Sequence, residues 1–131
     1  MEEKPLRILI ADDQPLVRKA IRVLLESRAG WKVCAEAADG REAVAKTKEL
    51  SPDIVVMDLS MPHMNGLDAT REIHSSCPQT QVLILTLYHF PELARAAQHA
   101  GAQGCVLKSD SNRSLIPAIA SLGNLQPFFG A

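Results

Sequence analysis

The sequence has no long apolar run: stretches such as Val82-Leu83-Ile84-Leu85 fall far short of the ~20 residues needed to cross a bilayer. It has no surplus of charge, with 14 Lys+Arg against 15 Asp+Glu for a formal net charge of −1. That balance argues against a domain that grips nucleic acid by bulk charge. The opening Met1-Glu2-Glu3-Lys4 lacks the basic-then-apolar pattern of a signal peptide. Cysteine is scarce and odd in number; Cys34, Cys77 and Cys105 include no CxxC pair, so neither a disulfide framework nor a zinc site is expected. Each reads as a small buried or half-buried thiol. His63, His74, His89 and His99 show no metal-binding spacing and read as scattered polar or half-buried side chains. No Gly-rich phosphate loop follows the first apolar run, where Asp12-Asp13-Gln14-Pro15 stands, so a flavin or dinucleotide site is not expected. These absences leave a small, soluble, cytoplasmic domain.

What is present is an alternation of short apolar runs and longer amphipathic ones. The 131 residues are 47% hydrophobic and 22% charged, enough for one core. Strands are predicted at residues 7–11, 31–35, 54–57, 82–85 and 105–107. Helices are predicted between them, starting near Pro15, after Asp39-Gly40, at 67–75 and at Pro91, the last of these ended by Gly101. A fifth helix is expected over about Asn112–Leu122, with Pro117 predicting a kink or a later start. Strands apolar on both faces and alternating with helices predict a parallel sheet covered on both sides, an open doubly wound α/β sandwich. The domain is expected over residues 1–124, with 125–131 beginning a linker or C-terminal tail.

In such sheets ligands bind beyond the carboxyl ends of the strands. Asp12 and Asp13 follow the first strand, Asp58 ends the third, Thr86 the fourth and Lys108 the fifth. Singly, each has a bland reading as turn-former, helix cap, β-branched strand residue or solvated amine. Together they place three acids, a hydroxyl and an amine on one edge. Three adjacent carboxylates repel one another and raise at least one pKa unless cations intervene. A hard cation such as Mg²⁺ suits them, and Lys108 supplies a second, fixed positive charge. Asp58, flanked by cations, suits a carboxylate that attacks a phosphoryl group, and the Thr86 hydroxyl suits a sensor of that group.

These residues, together with Asp58-Leu-Ser-Met-Pro62-His-Met-Asn-Gly66 and Gly104-Cys-Val-Leu-Lys108, resemble the receiver domains of two-component response regulators over nearly the whole chain. Glu36–Val44 and Gly101–Lys108 resemble the NarL/FixJ subfamily in particular. The resemblance implies a flavodoxin-like three-layer sandwich, a five-stranded parallel sheet of order 2-1-3-4-5 flanked by five helices. It implies Asp58 as phosphoacceptor, with a sensor histidine kinase as donor. Mg²⁺ would be bound directly by Asp13, Asp58 and the Ser60 backbone carbonyl, and through water by Asp12. Lys108 would pair with Asp58 or its phosphate, and Thr86 would swing toward the phosphoryl group, drawing the loop into helix four with it. Such a domain is a signalling receiver that catalyses only its own phosphorylation and dephosphorylation. In relatives the face from Pro91 to Leu122 reports to dimer partners or output domains, so a homodimer is among the expected assemblies. In the subfamily a stretch like Pro127-Phe128-Phe129 leads toward a helix-turn-helix DNA-binding domain, which implies transcriptional output through a part beyond residue 131.

Several positions depart from the family's commonest residues. Cys105 stands three before the lysine, where an aromatic is usual. Leu87 follows the threonine, where a small residue is usual; it is expected to point into a neighbouring apolar patch. Ser109 replaces the usual cis-proline, so the geometry of its peptide bond is left open. The positions that modulate phosphate lifetime are Ser60 and Tyr88, and Tyr88 is expected to shield an acyl phosphate from water. Two other readings compete. One is a receiver-like dimerisation or interaction module independent of phosphate. The other is an Asp-nucleophile phosphohydrolase, which wants an acid where Ser60 stands.

Overall fold

The apolar runs form strands because both faces of each are covered, and the intervening amphipathic runs supply the cover. The computed structural model describes residues 4–88 and 90–129, so the reading of His89 and of the first three residues lies outside the described residues. The order is β1 (Leu6–Ala11), α1 (Pro15–Glu26), β2 (Trp31–Ala37), α2 (Gly40–Leu50), β3 (Ile54–Asp58), α3 (Gly66–Ser76), β4 (Gln81–Thr86), α4 (Pro91–Ala100), β5 (Gly104–Leu107) and α5 (Ser111–Gly123). All strand pairs are parallel, in the order β2-β1-β3-β4-β5. This is the flavodoxin-like sandwich that the resemblance implied.

Successive strand residues point to opposite faces, so the sheet divides the core in two. Ile8, Ile10, Val56 and Leu83 pack with Leu25, Leu115 and Ile119 beneath α1 and α5. Leu9, Val55, Met57 and Ile84 pack with Val44, Ile73 and Ala97 beneath α2, α3 and α4. No helix among the described residues is long and apolar enough to cross a membrane.

Three expectations need correction or completion. β2 runs on to Ala37, because Glu36 is drawn into ion pairs with Arg18 (3.0 Å) and Arg22 (2.6 Å). α5 starts at Ser111, after a single 3₁₀ turn over Lys108–Asp110, and Pro117 stays inside it. Pro117 is exposed and lies within the continuous helix, so the helix neither starts later nor ends there. The Lys108–Ser109 peptide bond is trans.

After α5 the chain turns back. The Gln126 N–H donates to the Ser121 carbonyl (2.9 Å), and Leu125 takes a left-handed φ of 60°. Phe128 then pairs in parallel with Gly104, and Phe128 and Phe129 pack half-buried against the two halves of the core.

Candidate functional site

The parallel registers set Ala11 beside Met57, Asp58 beside Leu85 and Thr86 beside Leu107, so the residues at these strand ends lie at one level. Asp12 is fully buried, Asp58 is buried and Asp13 is exposed. Each offers a carboxylate oxygen, and these atoms all lie within 4.8 Å of one another. Lys108 reaches in from the far side, its Nζ 2.7 Å from Asp12 Oδ2 and 3.4 Å from Asp58 Oδ2. The amine therefore leans on Asp12 more closely than on Asp58. Asp12 is held by its other oxygen, which accepts the Gln14 N–H (2.8 Å), and by its carbonyl, which accepts from Arg18 Nη1 (2.7 Å).

Burial raises the Asp58 pKa above the ordinary carboxylate range, and the negative charges of Asp12 and Asp13 add to the rise. Lys108 opposes it without cancelling it. Burial works to lower the Lys108 pKa, but its contact with Asp12 and the charges of Asp58 and Asp12 outweigh this and leave it raised. Three carboxylates thus face one ammonium in a largely buried pocket. The buried Asp12 Oδ2 has the Lys108 ammonium, at 2.7 Å, as its charge partner. Hard oxygen donors, close convergence and an unbalanced charge fit a small divalent cation. Mg²⁺ is accordingly expected to stabilise the fold, by about 1.4 kcal/mol at tenfold excess over its Kd, and so to raise the unfolding midpoint, with EDTA reversing the shift. A midpoint indifferent to Mg²⁺ in differential scanning fluorimetry would contradict the fit.

The loop from Leu59 to Asn65 carries Ser60. It is tied by Leu59 N–H to the Leu85 carbonyl (3.0 Å) and by Gly66 N–H to the Leu59 carbonyl (2.9 Å). Asn65 caps α3, accepting the Asp68 N–H at 2.9 Å. Ser60 is exposed and lines, with Asp58, Met61, Arg71, Thr86 and Tyr88, a cavity of about 690 Å³ between α3 and α4. Asn65 and Arg71 were not singled out in the sequence. Arg71 lies four residues after Leu67 on one helix face, and both line the cavity.

The Thr86 hydroxyl is engaged by its own loop: it donates to the Tyr88 carbonyl (3.1 Å) and accepts the Tyr88 N–H (3.2 Å). Leu87 is 62% exposed and also lines the cavity, so the expectation that it turns into an apolar patch is wrong. It follows the buried Leu85 and Thr86 and lies just past the end of β4. Tyr88 is exposed beside the cavity, its ring 6.0 Å from that of Phe90. Cys34, Cys77 and Cys105 are free and half-buried, as expected.

The family described as "Response regulator receiver domain" matches residues 8–120. A two-component response regulator of the LuxR family from Aurantimonas sp. SI85-9A1 superposes with a TM-score of 0.92 at 40% identity, covering 96% of this chain and 90% of that one. The transcriptional regulatory protein LnrK of Bacillus subtilis is 41% identical over 89% of this chain and 53% of its own length. The chemotaxis protein CheY of Thermotoga maritima is 37% identical over 86% of this chain and 93% of its own. A second Bacillus subtilis regulator, YxjL, matches 98% of the chain but only 59% of its own length. The chain thus spans little more than half the length of these two regulators.

Proposed function

This chain belongs to the response regulator receiver domain family, and on that premise we propose that it is a phosphorylation-switched receiver using Asp58 as phosphoacceptor. The observation that carries the reading is the convergence of Asp58 with Asp12, Asp13 and Lys108 at one edge of the sheet. The Asp58 carboxylate attacks the phosphorus of a phosphohistidine on a sensor histidine kinase. A P–O bond forms, the P–N bond breaks, and the histidine nitrogen leaves with the electron pair. Asp12, Asp13, Asp58 and the Ser60 carbonyl would hold Mg²⁺, whose positive charge would offset that gathering on the phosphoryl oxygens. Lys108 is held by Asp12 within reach of the same oxygens. The Thr86 hydroxyl leaves Tyr88 and donates to the phosphoryl group, shifting the loop before α4.

The domain is a signalling receiver of the cytoplasm that catalyses only its own phosphorylation and dephosphorylation. Its output is transcriptional, through a DNA-binding part outside these residues, as the names and lengths of the Bacillus relatives suggest. The near-neutral net charge of −1 supports leaving DNA contact to that other part.

The test is intact-mass analysis after incubation with Mg²⁺ and acetyl phosphate. One phosphoryl adduct is expected; no adduct at any Mg²⁺ concentration overturns the reading and favours an interaction module independent of phosphate. Tyr88, at the mouth of the cavity, shields the acyl phosphate from water. Tyr88→Ala is therefore expected to speed loss of the adduct several-fold, about 2–10-fold for a barrier change near 1 kcal/mol, and an unchanged half-life would contradict the shielding.

A further inference from the structure

We propose that the segment after α5 is a strap that docks Pro127-Phe128-Phe129 on the outer edge of β5 and is released when Thr86 leaves Tyr88. The coupling to Asp58 rests on the function proposed above; the docking itself does not.

β5 is the last strand of the sheet, and such an edge carries backbone groups without a strand to pair them. The segment supplies the pairing: the Phe128 N–H donates to the Gln103 carbonyl (3.0 Å), and the Cys105 N–H donates to the Phe128 carbonyl (2.8 Å). Gly104 makes the approach possible. A Cβ there would lie 2.9 Å from the Phe128 carbonyl oxygen and 2.7 Å from Leu83 Cδ1. On the far side of the turn, the Ser121 hydroxyl donates to the Gln126 carbonyl (2.9 Å) and fixes where the strap begins.

Phe129 lines a small cavity with Thr86, Tyr88, Phe90 and Cys105. Thr86 also lines the larger cavity beside Asp58, so one side chain belongs to both. Its two bonds to the Tyr88 backbone pin the loop that carries the Tyr88 and Phe90 rings, which are one wall of the Phe129 seat. When the hydroxyl turns to a phosphoryl group, both bonds are lost and that wall is unpinned. Among the described residues the strap is held by two backbone bonds, at Gln103 and Cys105, and a half-buried aromatic pair, so a weakened wall favours release. Release bares the β5 edge between α4 and α5. By linkage, undocking the strap also frees Thr86.

Burial pushes the Cys105 thiol up, so uncovering it raises its reactivity at fixed pH. Amide exchange at Cys105 and Phe128, and alkylation of Cys105 resolved by peptide mass, are measured on the whole chain. Phe129→Ala is expected to speed both about tenfold, with exchange of the β1 amides unchanged. No increase overturns the strap. If β1 exchange rises as well, the fold itself has loosened, and the milder Phe129→Leu is judged by the same criterion. Thr86→Ala removes the hydroxyl without any phosphoryl group and is expected to speed Cys105 exchange in the same way; the phosphorylated wild type should match it. A phosphoryl adduct with Cys105 as protected as before overturns the coupling. If no adduct forms, it is the reading of Asp58 that has failed, and Thr86→Ala alone then decides the coupling: faster exchange supports it and unchanged exchange overturns it.

Discussion

Asp58→Asn is expected to abolish the phosphoryl adduct and, in EDTA at neutral pH, to make the domain more stable. The loss should be complete because an amide oxygen is a poor nucleophile and no neighbour can replace it. Asp12 is buried and paired with Lys108, while Asp13 stands exposed beyond the strand end. The gain in stability follows from the raised Asp58 pKa. A carboxyl whose native pKa lies above its unfolded value binds its proton more tightly in the folded chain. Stability therefore falls as pH rises from the ordinary 3.8 through the native value, and the penalty is full above that. Asparagine carries no charge and escapes it, while Lys108 keeps Asp12 at 2.7 Å. A gain on the order of 1 kcal/mol is expected at pH 7, about 4 °C in the unfolding midpoint. The gap should narrow as pH falls toward 3.8, and Mg²⁺ should shrink it by stabilising the wild type. An adduct retained by Asp58→Asn, or a midpoint lowered at every pH, would contradict this account of the residue.

The parts of this site that the sequence reveals are those set by strand pattern. β1, β3 and β4 are apolar on both faces, so their ends are sharp, and each end places one polar residue: Asp12 just past β1, Asp58 and Thr86 at the last positions of β3 and β4. β2 lies at the sheet edge with Cys34, Ala35 and Glu36 only half-buried, and its last two residues do not read as strand. What the pattern does not carry is the direction each side chain takes afterwards. Lys108 is legible as a strand-end amine, but its preference for Asp12 depends on the 3₁₀ turn that follows. Thr86 is legible as a hydroxyl, but its capture by Tyr88 belongs to a loop with no period. The Phe128-Phe129 pair is legible as apolar surface in need of cover. Its seat on β5 depends on Gly104 and on the turn made by Ser121, positions 24 and 7 residues before Phe128 by numbering.

Close approach of backbone to backbone is likewise silent in the pattern, and it leads to the other large effect, at Gly66. A Cβ on Gly66 would lie 2.4 Å from the Asp58 carbonyl oxygen and 2.9 Å from Leu59 Cα. Both are main-chain atoms at the end of a buried strand, so no side chain can swing aside to relieve the clash. Gly66→Ala must push the start of α3 away from the end of β3. That movement strains the Gly66 N–H bond to the Leu59 carbonyl and the Thr70 hydroxyl bond to the Gly66 carbonyl (2.6 Å). Overpacking of this kind costs about 3 kcal/mol, which corresponds to an unfolding midpoint lower by roughly 10 °C. The functional loss should be larger in proportion, because the start of α3 is bonded through Gly66 to Leu59, between Asp58 and Ser60, and a misplacement near 1 Å there costs about a hundredfold in rate. Gly30→Ala serves as the contrast. Gly30 has φ +83° and nothing within 4 Å of an added Cβ, so its cost is backbone strain alone. It should lower stability modestly, by about 1 kcal/mol, and leave the rate of phosphorylation by acetyl phosphate unchanged. If Gly66→Ala stayed folded and phosphorylated at the wild-type rate, the tight contact of α3 with β3 would not be what positions Asp58, and the site would owe its geometry to the strands alone.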